Sequence, residues 1–140
     1  MKTIPFRIVG IEVDKFSVND SVKPNGRIDV NTNYGFAVNK QEKLIKCTVI
    51  YVYSYSGETI LEMTLSCIFN IEPTAFSEML KDDKFVIEPF FLQYLATINV
   101  GASRGEIHAR CELANSEIAR IILPPINLVE ALPEAIEINL

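Results

Sequence analysis

The stretch from Glu88 to Asn127 restricts what this chain can fold into more than any other. Pro89 stands where a first helical turn tolerates proline, because the N–H it lacks would have no partner there. Around it Ile87, Phe91, Tyr94, Leu95, Ile98 and Ala102 recur at helical spacing, the stripe a helix needs to bury one face. A second face carries only small residues four apart, Gly101, Gly105 and Ala109. Glycine inside a helix costs about 1 kcal/mol relative to alanine. Two of them one turn apart suggest a backbone that another element approaches closely. The spacing predicts a long helix from Pro89 to about Ala114-Asn115-Ser116.

Up to Ile71 the chain reads as four strands joined by turns. Ile4 to Phe16 alternates, with Phe6 and Ile8 expected on one side and Val9, Ile11 and Val13 on the other. Turn residues follow, Asn19-Asp20-Ser21 and Lys23-Pro24-Asn25-Gly26. Arg27 to Val38 has the cleanest alternation, Ile28, Val30, Tyr34, Phe36 and Val38 against Arg27, Asp29, Asn31 and Asn33. Lys43 to Tyr55 is apolar on both faces, and Ser56-Gly57 turns it back into Glu58 to Ile71, which makes a hairpin.

A short helical turn is expected at Pro73 to Leu80 and a charged loop at Lys81-Asp82-Asp83-Lys84. Pro124-Pro125 biases Ile118 to Leu123 towards extended chain. Asn127 with Glu130 opens a last short helix that Pro133 limits. Four strands followed by helices is an α+β order: a four-stranded antiparallel sheet, a long helix and a short final helix.

The length of 140 residues predicts one domain, residues 1–140, with a genuine core. A net charge of −5 argues against nucleic acid and against an anionic membrane surface, and leaves a basic protein partner open. No apolar run approaches the ~18 residues of a membrane span, and the start does not read as a signal peptide. Cys47, Cys67 and Cys111 are odd in number and far apart, which fits free thiols in a reducing cytoplasm.

Chemistry-bearing groups are sparse. His108 is the sole histidine, and Cys111 at i+3 is its only soft neighbour in sequence, so neither a metal site nor Cys-His catalysis is expected. Gly101-Ala102-Ser103-Arg104-Gly105 lacks the Lys-Ser/Thr of a phosphate loop. Glu12, Asp14, Glu58 and Glu62 fit the solvated side of strands, and no two stand out as acid and base. No cofactor and no enzymatic activity are expected. The aromatic set Phe36, Tyr51, Tyr53, Tyr55, Phe69, Phe90, Phe91 and Tyr94 is large for the chain. It fits core and subunit interface, or a groove for apolar extended segments.

Three elements in order carry a family resemblance. Ser54 to Ile71 is a glycine-turn hairpin ending Cys67-Ile68-Phe69-Asn70-Ile71; Glu88-Pro89-Phe90 leads to Ser103-Arg104-Gly105; Leu123-Pro124-Pro125-Ile126-Asn127-Leu128 precedes the last helix. From about Thr48 to Leu132 this resembles the SecB family, tetrameric cytosolic chaperones of bacterial protein export. The resemblance implies a dimer of dimers with long helices at the interface, and binding of unfolded polypeptides without ATP. It implies that Glu62, with Glu12 and Asp14 on the first strand, docks a SecA-type translocase motor. It also implies that Tyr51, Tyr53 and Phe90 line a client groove, and that Gly101, Gly105 and Ala109 meet another protomer's helix.

The chain departs from the export chaperones by extra residues between Gly105 and Leu123 and by lacking their acidic tail. Its first half matches only in pattern. Those features fit SecB-like relatives that guard antitoxins. A small-ligand module of the hotdog type is the alternative of a different class, although there the long helix falls early.

Overall fold

A computed structural model of the chain describes residues 3–114, 116, 118 and 123–140. Four long strands come first: β1 (Phe6–Val18), β2 (Asp29–Asn39), β3 (Leu44–Tyr55) and β4 (Glu58–Ile71). They form one antiparallel sheet in the order β1-β4-β3-β2. Strands β2, β3 and β4 follow one another through short turns, while β1 and β2 lie on opposite edges. Residues 19–28 therefore cross about 14 Å of sheet, three strand spacings, which is a Greek-key connection. Tyr55 ties this crossover by donating its hydroxyl to Asn25 O at 3.1 Å, and Asp20 accepts a hydrogen bond from the Ser116 hydroxyl.

Strand β1 corrects the expected alternation. Its register slips at Val9 and again at Asp14, so each adds one residue to the edge strand. Phe6, Ile8, Ile11, Val13, Phe16 and Val18 then all sit opposite inward residues of β4, from Ile71 to Leu61. The spacing two, three, two, three, two is what one face looks like when two bulges interrupt it. Val9 does not begin a second apolar face.

The helix α2 (Pro89–Leu113) follows and lies against β3 and β4. It buries Phe91, Leu92, Leu95, Ala96, Asn99, Val100, Ser103, Ile107 and Cys111. That face is rotated away from the expected stripe: Phe91 and Leu95 are buried, Ile98 and Ala102 only half so, and Tyr94 is exposed. The face is turned by two polar residues that an apolar count leaves out. Asn99 donates to Cys47 O and to Leu65 O, both at 3.0 Å, joining β3 and β4 to the helix. Its own oxygen accepts from the Tyr51 hydroxyl at 2.9 Å and the Ser103 hydroxyl at 3.0 Å. Every polar atom of the buried Asn99 side chain is thus used, as burial demands.

Between β4 and α2 the chain makes α1 (Pro73–Met79), β5 (Leu80–Lys81) and β6 (Lys84–Ile87). Glu72 caps α1, accepting from Thr74 N and Ala75 N, and those two bonds hold its carboxyl below the usual range. The expected charged loop is a hairpin turn, with Asp82 at φ 60. After α2, Asn127 caps α3 (Leu128–Ala131) by accepting from Glu130 N, as its spacing implied. Of the expected extended run from Ile118 to Leu123, residues 119–122 lie outside the described residues.

A last strand, β7 (Ile136–Asn139), pairs with β6 to complete a small sheet of order β5-β6-β7, which the sequence reading did not foresee. Its Ile136 and Ile138 are half-buried and its Glu137 and Asn139 exposed. Burying such an apolar side chain fully is worth about 1.5–3 kcal/mol, so two half-buried ones contribute roughly 1.5–3. The exposed Lys84–Glu137 pair at 3.3 Å adds under about 1 kcal/mol. Its side chains thus add little to the backbone ladder on β6, and a strand held mainly by such bonds can open locally without unfolding the whole.

Replacing Asn99 by alanine strands the Tyr51 hydroxyl in the core and removes the tie to two strand carbonyls. The expected loss is about 3 kcal/mol in chemical denaturation. Tyr51→Phe added to Asn99→Ala should cost far less than Tyr51→Phe alone, because the two side chains act as one network.

Candidate functional site

The residues singled out in the sequence fall in four places. Tyr51 and Tyr53 point inward from β3, under α2, and neither has any exposed surface. They are core residues of this conformation and line no open groove. Burial pushes the Tyr51 phenol well above its ordinary value and lifts that of Tyr53 from 10.0 to about 12. Beside them Cys47 and Cys67 face each other across β3 and β4, both buried. Desolvation first, and then the neighbouring Cys67, lift the Cys47 thiol from 9.0 to about 12; desolvation lifts Cys67 to about 11. Cys111 is raised for the same first reason. Buried, protonated thiols are poor nucleophiles, so these act as small apolar groups.

The three acidic residues are brought together on the opposite, outer face of the sheet. Glu12 lies opposite Ser66, and Asp14, set out by its bulge, accepts a hydrogen bond from the Ser66 hydroxyl at 2.7 Å. Thr48 meets the same hydroxyl from the other side at 2.8 Å. Glu62, nearer the other end of β4, pairs with Lys15 at 3.2 Å. The face around them is mixed: Val52, Ile50, Thr48 and Lys46 on β3, Thr64 and Ile68 on β4, Asn31 and Asn33 on β2. Arg7 shares the outer side of β1 and Lys15 counters Glu62, so Glu12 and Asp14 are a local acidic spot at the middle of β1 on a face that carries both signs.

A third surface runs where β1 meets α2. Phe6 packs edge-on to Phe69, Phe91 and Tyr94, with ring centroids 5.5, 5.7 and 5.7 Å away. Beyond it the first half of β1 is only partly covered, because α2 lies over β3 and β4 instead, while Val13, Phe16 and Val18 further along pack against the core. Ile8, Val9 and Ile11 are 46%, 49% and 50% exposed, and Tyr94 is 58% exposed. Gly101, Gly105 and Ala109 are exposed on the same helix. A Cβ placed on either glycine meets no atom within 4 Å. Nothing among the described residues therefore requires glycine at these two positions or offsets its helix-weakening cost.

Phe90 is half-buried at the start of α2 and lines a cavity of about 200 Å³ with Ile4, Ala75, Met79 and Val86. Glu78, Lys81 and Glu88 stand among the apolar walls. It is smaller than the ~300–1,000 Å³ of a typical ligand pocket, and fits one or two apolar side chains. Tyr51 and Tyr53 do not reach it from beneath α2.

Among the described residues no group of three His, Cys, Asp or Glu side chains is placed to hold a metal ion. No described helix is long and apolar enough to cross a membrane. The arrangement offers surfaces: an apolar strip on one side and, on the other, a sheet face of mixed charge with Glu12 and Asp14 at its edge. Tyr94 was expected in the buried stripe, and its exposure, like that of the β1 edge, depends on where α2 crosses the sheet. No family model matches the chain, and no curated protein sequence matches it.

The raised acids set an alkaline limit. Cys47, Cys67 and Tyr53 fold with their neutral forms favoured, so the stability they contribute is complete below the unfolded values of 9.0 to 10.0 and fades towards about 12. Urea midpoints should hold steady to about pH 9 and fall steeply above it. The cysteines should resist a thiol reagent in native protein at pH 8 and react after unfolding.

Proposed function

We propose that this chain is a SecB-like holdase: an oligomer in the cytoplasm that binds unfolded polypeptides without ATP. The observation that carries the reading is the uncovered apolar strip of Ile8, Val9, Ile11 and Tyr94 beside the exposed glycines of α2. A protein in water keeps such a surface where another surface covers it. The edge of β1 and the small face of α2 suit a second copy, whose helix can approach closely where side chains are absent. The order of elements, four antiparallel strands and then one long helix, agrees with what the resemblance to the SecB family implies.

On this reading the outer face with Glu12, Asp14 and Glu62 remains open in the oligomer and serves a basic partner, a SecA-type motor or an antitoxin. Client contact falls to Phe90 and its cavity in the conformation described. Tyr51 and Tyr53 would join only after α2 lifts, and their burial and the Asn99 network oppose that. The hotdog-like alternative draws no support, because α2 follows all four strands and the cavity at Phe90 is small.

Two measurements test the reading. The purified protein should sediment as an oligomer and suppress aggregation of a chemically denatured protein diluted into buffer without nucleotide. A monomer that leaves aggregation unchanged contradicts it. Gly105→Leu should fold normally, since the position opens onto free space, yet lower the mass in solution. Sedimentation of that variant as the intact oligomer removes the helix face from the interface.

A further inference from the structure

Strand β6 has only the two residues of β5 on one side and the whole of β7 on the other. β7 is held in register by Lys84 opposite Asn139, Phe85 opposite Ile138, Val86 opposite Glu137 and Ile87 opposite Ile136. Leu140 N adds one more backbone bond, to Asp83 O at 3.1 Å. Ladder bonds of this kind are made by any extended chain, whatever its sequence, and selectivity comes from alternate side chains. Here those are Ile136 and Ile138, which lie beside the fully buried Ile87 and Phe85, the latter packed on Phe76 at 4.6 Å between ring centroids. The intervening Glu137 and Asn139 face solvent. Among the described residues the side-chain bond from β7 to its neighbour is the exposed Lys84–Glu137 pair. Exposed Pro133, Glu134 and Ala135 link it to α3, a joint without core contacts of its own.

We infer that the β6 edge is a docking surface for an extended segment of a client polypeptide with apolar residues at alternate positions, and that β7 is its resident, displaceable occupant. The occupant in place defines the chemistry: two apolar side chains two residues apart, against Phe85 and Ile87, with free choice between and after them. Leaving, β7 uncovers a row of backbone donors and acceptors next to an aromatic core edge, which is the complement of an unfolded apolar strand. Returning, it closes that row without a partner. The inference rests on the holdase reading for the nature of the partner, and adds the mode by which the partner is gripped.

The test locks β7 in place. Lys84 and Asn139 are exposed register partners outside the Phe90 cavity, and opposed residues of an antiparallel pair lie about 4.5–5.5 Å apart at Cα, within disulfide reach. Lys84→Cys with Asn139→Cys joins them under oxidation, while the buried Cys47, Cys67 and Cys111 are shielded. The probe is a fluorescein-labelled peptide of residues 133–140, read by anisotropy, with a control peptide carrying aspartate for both isoleucines. The reduced double variant and the unmodified protein should bind the probe and bind the control at least tenfold more weakly. Oxidation should weaken probe binding at least tenfold, and reduction should restore it.

Equal binding by the locked and reduced forms overturns the proposal. So does failure of the reduced form to bind, and so does a β7-exchanged dimer that accounts for the uptake. Probe exchange that behaves as expected in a protein that suppresses no aggregation would overturn the holdase reading alone.

Discussion

Asn99 is the contact on which the geometry of this protein depends. One amide takes the carbonyls of Cys47 and Leu65 from neighbouring strands and returns its oxygen to Tyr51 and Ser103. Apolar packing between a helix and a sheet tolerates sliding and rotation, since contact area varies little with small displacements. A buried amide does not, because any rotation strands a polar atom out of water. The network therefore sets which face of α2 is buried, and by exclusion which face is left outside. Tyr94, Gly101 and Gly105 are exposed because Asn99 and Ser103 are not.

The same constraint explains the open edge of the sheet. α2 is held over β3 and β4, so it reaches β1 only at its ends, where Phe6 meets Phe91 and Tyr94 and where Arg110 sits over Phe16 at 5.9 Å. Between these points Ile8 and Ile11 are left about half exposed. The two bulges in β1 deepen the effect by turning six apolar residues onto one face of an edge strand. Bulges also distort the outer ladder of such a strand and limit uncontrolled pairing. The edge is thus rich in apolar side chains and selective about what pairs with it.

Much of the fold was legible in the residues. Alternation in β2, the Ser56-Gly57 turn and the proline at the start of α2 placed the main elements, because each depends on local chemistry. What was not legible depended on distant partners. The face of α2 was misjudged because Asn99 and Ser103 look like solvent residues until strand carbonyls meet them. The alternation of β1 was misread because a bulge is visible only against β4. β7 was missed because four residues reading Ile-Glu-Ile-Asn become a strand only when β6 lies alongside. For the surfaces the balance was similar. The acidic trio converges on one sheet face, whereas Tyr51 and Tyr53, chosen for residue type, are in the core.

The central claim is that the β1 and α2 strip is covered by a second copy. Hydrogen–deuterium exchange across a dilution series reads this at the residues concerned. The account predicts that those amides of residues 8–11 that point away from β4 are protected at high concentration and exchange quickly once the protein is diluted below its association range, while β3 stays protected throughout. Rapid exchange at those amides at every concentration would contradict it.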